Sequence, residues 1–176
     1  MKRIGIGVAC LAGLPGGLGL VSACSAEPAP AETWPGCGTW DKRPEPAWEG
    51  WFMAADPCVV RDGGIYRMYY TGFMFEPDRA TIGLAESDDG VHWRWSADIE
   101  PYADEIPMRI VFDGRPGSWD ENLETVHVMR VGDEWWMFYT GYVVDPDRFV
   151  SPYEIGLAKS ADGISWTRAS DEPGHR

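Results

Sequence analysis

From Cys58 onward, apolar and polar positions alternate in short runs with the period of two that belongs to strands, not with helical spacing. Cys58 to Arg61 is a short apolar strand, Asp62-Gly63-Gly64 a tight turn, and Ile65 to Thr71 a second strand with Tyr66, Met68 and Tyr70 on one face. The stretch Phe73 to Ala80 holds Pro77 and is expected to break the pairing. Thr81 to Glu86 makes a third strand and Asp89-Gly90 a hairpin turn. His92 to Ser96 makes a fourth strand, with Trp93 and Trp95 on the same side. Four more strands follow: Val126 to Arg130, Glu134 to Thr140, Glu154 to Lys159 and Ser165 to Arg168. Between the two sets, Tyr102 to Trp119 is irregular, apart from Ile110-Val111-Phe112, which suits an edge strand or a lip. No amphipathic helix is predicted past the N-terminal segment.

The second set copies the first. Asp56 to Trp93 aligns with Thr125 to Trp166, without a gap as far as Arg148, followed by four extra residues. Tyr69-Tyr70-Thr71-Gly72 is answered by Phe138-Tyr139-Thr140-Gly141, and Ile82-Gly83-Leu84-Ala85 by Ile155-Gly156-Leu157-Ala158. A repeat this long is one supersecondary unit used twice, each copy burying what the other leaves open. Four antiparallel strands per unit form a propeller blade. The expected architecture is all-β, with blade 1 at about 51–100, a connection at 101–119 and blade 2 at about 120–170.

The N-terminus changes the picture of location. Lys2 and Arg3 precede an apolar, Gly-rich run from Ile4 to Leu20, and no acidic residue appears before Glu27. This is the layout of a secretory signal. Its exit, Leu20-Val21-Ser22-Ala23-Cys24, is similar to the lipobox of bacterial lipoproteins. That resemblance implies cleavage after residue 23, lipidation of Cys24 and an exported, membrane-anchored cell-envelope protein. Cleavage near Ala23 or Ala26, giving a free secreted chain, is the alternative. Residues 24–33 then have the composition of a flexible tether, ahead of a folded part at 34–176.

Losing residues 1–23 removes Lys2 and Arg3, so 15 basic residues become 13 against 28 acidic ones, and the formal charge goes from −13 to −15. That acidity argues against nucleic acid or anionic lipid as a partner and leaves the lipid anchor as the only membrane contact. Ten tryptophans and seven tyrosines offer the flat faces on which sugar rings stack, and they serve blade cores equally well. Cys37 and Cys58 are placed to pair in an oxidising compartment, or Cys58 is a small buried strand residue and Cys37 is free. No Cys/His cluster has zinc spacing, so a structural zinc is not supported; no metal-ligating residue and no cofactor is assigned, and a central metal stays open.

Asp56-Pro57 before an apolar strand, then Gly64-x-Tyr66-x-Met68-Tyr69-Tyr70-Thr71-Gly72, then Ile82-Gly83-Leu84-Ala85-x-Ser87-x-Asp89-Gly90-x-x-Trp93, resembles the five-bladed β-propeller glycosidases. These are glycoside hydrolase families 43, 32 and 68 and the family 130-like relatives. Gly117-Ser118-Trp119-Asp120-Glu121 is similar to the last group in particular. The resemblance covers about Trp51 to Arg168 and implies a carbohydrate partner and a funnel site with carboxylates at the starts of innermost strands. Asp56 matches the first-blade aspartate, a general base or nucleophile. Its second-blade counterpart is Thr125, not an aspartate, and Glu124 one residue earlier substitutes only if it still lies in the loop entering the strand. Trp51, Trp119 and His127 are candidate sugar contacts. Asp120 and Glu121 read as shaping the blade connection.

A five-bladed ring at this spacing needs roughly 350 residues, so the chain carries about two blades and lacks the blade that supplies the acid in these families. The expectation is a partial propeller, a fragment or truncated gene, with open edges that favour self-association. Three readings remain open: a glycosidase-like protein using Asp56 and Glu124, a non-catalytic glycan-binding or structural propeller lipoprotein, or an inactive fragment of a longer enzyme. Hydrolysis by the chain as given is expected to be weak or absent.

Overall fold

The computed structural model describes residues 42–75, 78–145, 147 and 152–174. The signal, the lipid site Cys24, the tether and Cys37 lie outside the described residues.

Nine strands form two antiparallel sheets, and no helix occurs among the described residues. The first sheet holds β1 (Ala54–Asp62), β2 (Ile65–Phe75), β3 (Asp78–Ser87) and β4 (Arg94–Trp95) in that order. A fifth strand, β5 (Ile110–Phe112), pairs with the middle of β3 at Ile82 and Gly83, so the expected edge strand is present. The second sheet holds β6 (Asn122–Val131), β7 (Glu134–Tyr142), β8 (Glu154–Ser160) and β9 (Thr167–Arg168) in order. Each sheet contains a propeller blade of four antiparallel strands, as the repeat predicts, with β5 added to the first.

Alternation decides what packs. On β2, Tyr69 faces the second blade, whereas Met68 and Tyr70 face the other way with Ala85. Tyr69, Ile82 and Leu84 of the first blade meet Val126, Val128, Trp135, Met137, Tyr139 and Ala158 of the second in one core. Each fully buried Ile or Leu there contributes roughly 2 kcal/mol by removing apolar surface from water. The opposite face of the first blade is closed by Trp48, Trp93 and Trp95. The opposite face of the second blade leaves Phe138, Ile155 and Met129 exposed.

Polar groups tie the blades together. The Tyr69 hydroxyl donates to the Gly163 carbonyl at 2.8 Å and Arg67 Nη1 to the Asp162 carbonyl at 2.7 Å. Those carbonyls are presented by the repeated Ser-x-Asp-Gly turn. In it, Asp162 Oδ1 accepts from the Ile164 and Ser165 amides at 2.8 and 2.7 Å, as Asp89 Oδ1 does from Val91 and His92. The motif is therefore turn chemistry in both copies.

Two expectations are corrected. Pairing does not break after Phe73: β2 and β3 stay in register to Phe75↔Asp78, because Met74 and Ala80 are buried and the Ala80 amide donates to Asn122 Oδ1 at 3.1 Å. Glu124 is not in a loop entering the strand but within β6, opposite Thr140. The Cys58 Sγ packs on the second blade and accepts from the Val128 amide at 3.2 Å, while its candidate partner Cys37 lies outside the described residues.

Gly156 is required by close approach. A Cβ built there would lie 2.2 Å from Tyr139 Cζ, and at the equivalent Gly83 it would lie 2.5 Å from Tyr70 Cζ. Gly156→Ala is expected to cost about 2 kcal/mol through overpacking, read as a lower urea midpoint with an unchanged m-value.

Candidate functional site

The two innermost strands are bulged at the same place. The register of β1 on β2 shifts between Ala55 and Cys58, and that of β6 on β7 between Glu124 and His127. Inside the bulges, Asp56 has φ 48° and Thr125 has φ 50°, a left-handed backbone that is uncommon for non-glycine residues and costs a β-branched threonine of order 1–3 kcal/mol.

Hydrogen bonds between the blades hold both residues in that conformation. The Thr125 amide donates to Thr71 Oγ1 at 3.0 Å. The Thr71 and Thr125 hydroxyls each donate to Asp56 Oδ2, both at 3.3 Å. One carboxylate oxygen is thus fixed by two hydroxyls while the Asp56 residue stays exposed.

Glu124 is the second carboxyl. Burial raises its pKa above the ordinary glutamate value, the Asp56 charge raises it further, and the Tyr153 hydroxyl beside it pulls it partway back. The Tyr153 ring packs on Tyr142 with centroids 5.0 Å apart and is 54% exposed. Burial, with the Glu124 charge next, pushes the Tyr142 phenol up to about 12. The site is therefore two carboxyls in unlike surroundings, one exposed and held by two hydroxyls and one half-buried beside tyrosines.

Of the residues singled out from the sequence, Asp56 and Glu124 come together here. Trp51 is 44% exposed, just ahead of β1. His127 is exposed on β6, two residues beyond Thr125. Trp119 is tied into packing: its ring stacks on Tyr139 at 11° and its Nε1 donates to the Asp171 carbonyl at 2.9 Å. Asp120 is fully buried between Arg168 and Arg115, at 2.6 and 2.9 Å, and accepts from the Tyr139 hydroxyl at 3.2 Å. Thr71, Tyr142 and Tyr153 belong to the site and were missed. The signals were there, since Thr71 recurs as Thr140 and Tyr153 directly follows the four residues by which the second copy is longer. Among the described residues, no group of three or more His, Cys, Asp or Glu side chains is arranged to hold a metal.

No known family profile matches the chain. Over 70 residues, 40% of its length, it is 36% identical to the uncharacterized protein MT1551 of Mycobacterium tuberculosis, of which it covers 19%. Among solved structures it is similar to Zg3597, a family 117 glycoside hydrolase of Zobellia galactanivorans, with a TM-score of 0.50 and 14% identity over 69% of this chain and 39% of that one. It is also similar to a putative glycoside hydrolase of Bacteroides ovatus, with a TM-score of 0.48 and 19% identity over 65% and 30%. A family 32 β-fructofuranosidase of Bombyx mori gives a TM-score of 0.48 and 20% identity over 67% and 23%. At these identities the likeness is one of fold: the chain has blades of the type found in propeller glycoside hydrolases. It spans well under half the length of each of these relatives.

Proposed function

We propose that this chain carries part of the carboxylate site of a glycoside hydrolase-like protein of the family 43/32 type, acting on oligo- or polysaccharides. The observation that supports this reading is the pairing of Asp56 with Glu124 across neighbouring blades. Cleaving a glycosidic bond takes one ionised carboxylate, as base or nucleophile, and one carboxylic acid at the leaving oxygen. Asp56, exposed and held by two hydroxyls, suits the first role. Glu124, kept protonated to higher pH by burial and by the Asp56 charge, suits the second. The exposed Tyr153 ring beside them suits a sugar face.

The test is a screen of the full chain against β-mannosides, arabinan and xylan oligosaccharides and fructans, with released reducing sugar as the readout. Release that needs both carboxyls supports the reading. Binding without release supports the second reading, a glycan-binding propeller, which is favoured by one observation. Thr125 stands where the repeat predicts an aspartate, and its hydroxyl occupies Asp56. Neither binding nor release would remove both.

We also propose export with lipidation at Cys24. Metabolically supplied palmitate should label the chain and fail to label Cys24→Ser, whereas equal labelling would exclude that anchor.

A further inference from the structure

Within the chain, one blade face covers another. Cys58, Val60, Tyr69 and Ile82 of the first blade share a core with Val126, Val128, Ile164 and Trp166 of the second. The Tyr69 and Trp166 rings meet edge-on there, with centroids 5.9 Å apart. Because the blades are copies, each carries a counterpart of both faces, and the internal contact uses only one face from each.

The unused face of the second blade stands at the positions equivalent to Cys58, Val60, Tyr69 and Ile82. These are His127, Met129, Phe138 and Ile155, and all four are exposed, Ile155 at 52%. The unused face of the first blade stands at the positions equivalent to Val126, Val128 and Ile164. These are Pro57, Val59 and Val91, again all exposed, Val59 at 48%. Trp93, the counterpart of Trp166, is half-buried beside them, and Trp48 covers Met68 and Tyr70 on the same face. Half of the large hydrophobic side chains exposed among the described residues thus fall at repeat positions that the other blade covers. Apolar surface gathered in this way, rather than scattered singly, marks a contact.

The charges differ between the copies in a complementary sense. Lys159 stands where the first blade has Glu86, and Asp88 stands where the second has Ala161. Glu86 lies 3.8 Å from Arg67, which donates to the Asp162 carbonyl of the covering blade. Position 86 therefore borders the turn of the blade that covers it. The open second-blade face offers a part-exposed cation there, and the open first-blade turn offers an exposed acid.

We infer that the open face of the second blade receives the open face of the first blade of a second copy, so that chains join head to tail as the two blades join within one chain. The occupant is a copy of this chain because one molecule exposes both halves of the contact. The contact is weaker than the internal one. Phe138 lacks the hydroxyl that Tyr69 donates to the Gly163 carbonyl, and Trp136 replaces the Arg67 guanidinium. Such a contact is heterologous, so it continues into longer assemblies unless a ring closes.

The test is sedimentation of the full chain across a concentration series, alone and with two surface variants. The unaltered chain should gain mass with concentration and pass beyond a dimer. Ile155→Glu blocks the second-blade face and Val59→Lys the first-blade face. Each variant alone should self-associate at least about tenfold more weakly, the least that a charge forced into an apolar contact costs. An equimolar mixture of the two should form dimers and stop there, since each supplies the face that the other lacks. Both positions are exposed, and a thermal melt checks that each variant folds. Met129→Glu and Val91→Lys replace either one that does not. An unaltered chain that stays monomeric throughout, as expected if its own N-terminal residues cover a face or if the faces await blades of another polypeptide, would overturn the inference. So would undiminished self-association of either variant alone, the result expected of strand edges pairing or of one face meeting its own kind.

Discussion

Asp120→Ala is expected to destabilise the second blade by about 3 kcal/mol or more, the cost of breaking a buried ion pair and leaving its partner charges uncompensated. The carboxylate is completely buried, and three side chains bond to it: Arg168, Arg115 and Tyr139. Arg168 Nε reaches one oxygen at 2.6 Å while its Nη2 donates to the Asp113 carbonyl at 2.6 Å. Arg115 Nε reaches the other oxygen at 2.9 Å and also pairs with Asp171 at 2.6 Å. The Arg168 guanidinium lies 4.3 Å over the Phe112 ring, so the same charge touches β5, which pairs with the first blade. Asp120→Asn keeps an acceptor for Tyr139 and should cost less than alanine. Urea unfolding of both variants gives the two numbers. A loss under about 0.5 kcal/mol for alanine, the size of an ordinary surface substitution, would refute the assignment.

The same cluster fixes a pH dependence. Burial pushes the Asp120 carboxyl up, but the hydrogen bonds and charges of Arg168 and Arg115 outweigh it and hold the pKa below the ordinary aspartate value. A depressed carboxyl contributes stability that is complete above its unfolded pKa of about 3.9 and is lost as pH falls through the folded value. Acid unfolding should therefore set in below about pH 4, and Asp120→Ala should flatten that part of the stability profile.

The blade was legible because it is written twice in local chemistry: strand alternation, the Ser-x-Asp-Gly turns and the tyrosine-over-glycine contact all have sequence signatures. The bulges at Asp56 and Thr125 have none, since a positive φ at a non-glycine residue is imposed by its surroundings, here the Thr71 hydroxyl from the neighbouring strand and blade. That bulge misled the reading of Glu124, because counting one residue back from Thr125 along an unbroken strand turns it away. Trp119 was judged by its chemical type as a sugar platform, yet an aromatic beside a glycine strand is as readily stacked on a buried tyrosine. Tyr153 escaped because it is no strand residue: the first blade pairs Phe73 with Ala80, while pairing in the second begins at Gly141↔Glu154 and frees the preceding tyrosine to reach Glu124.

On the proposed reading, Asp56→Asn and Glu124→Gln should each lower whatever glycoside hydrolysis is measured by a factor on the order of 10² to 10⁴, the range for losing a positioned acid or base. The two losses should differ in their pH behaviour. Glu124 has a raised pKa because it is buried and faces the Asp56 charge, so its protonated form persists to higher pH than an ordinary glutamate. As an acid it supports the reaction below that pKa, and the rate should fall as pH rises through it. Glu124→Gln should remove this basic limb. Asp56→Asn should move it to lower pH, because the neighbouring charge that raises Glu124 is gone. Tyr153→Phe removes the hydroxyl that holds the Glu124 pKa down and should extend the limb upward. A basic limb that stays in place in all three variants would mean that Glu124 is not the acid, and that Asp56 and Glu124 are neighbours at a binding surface.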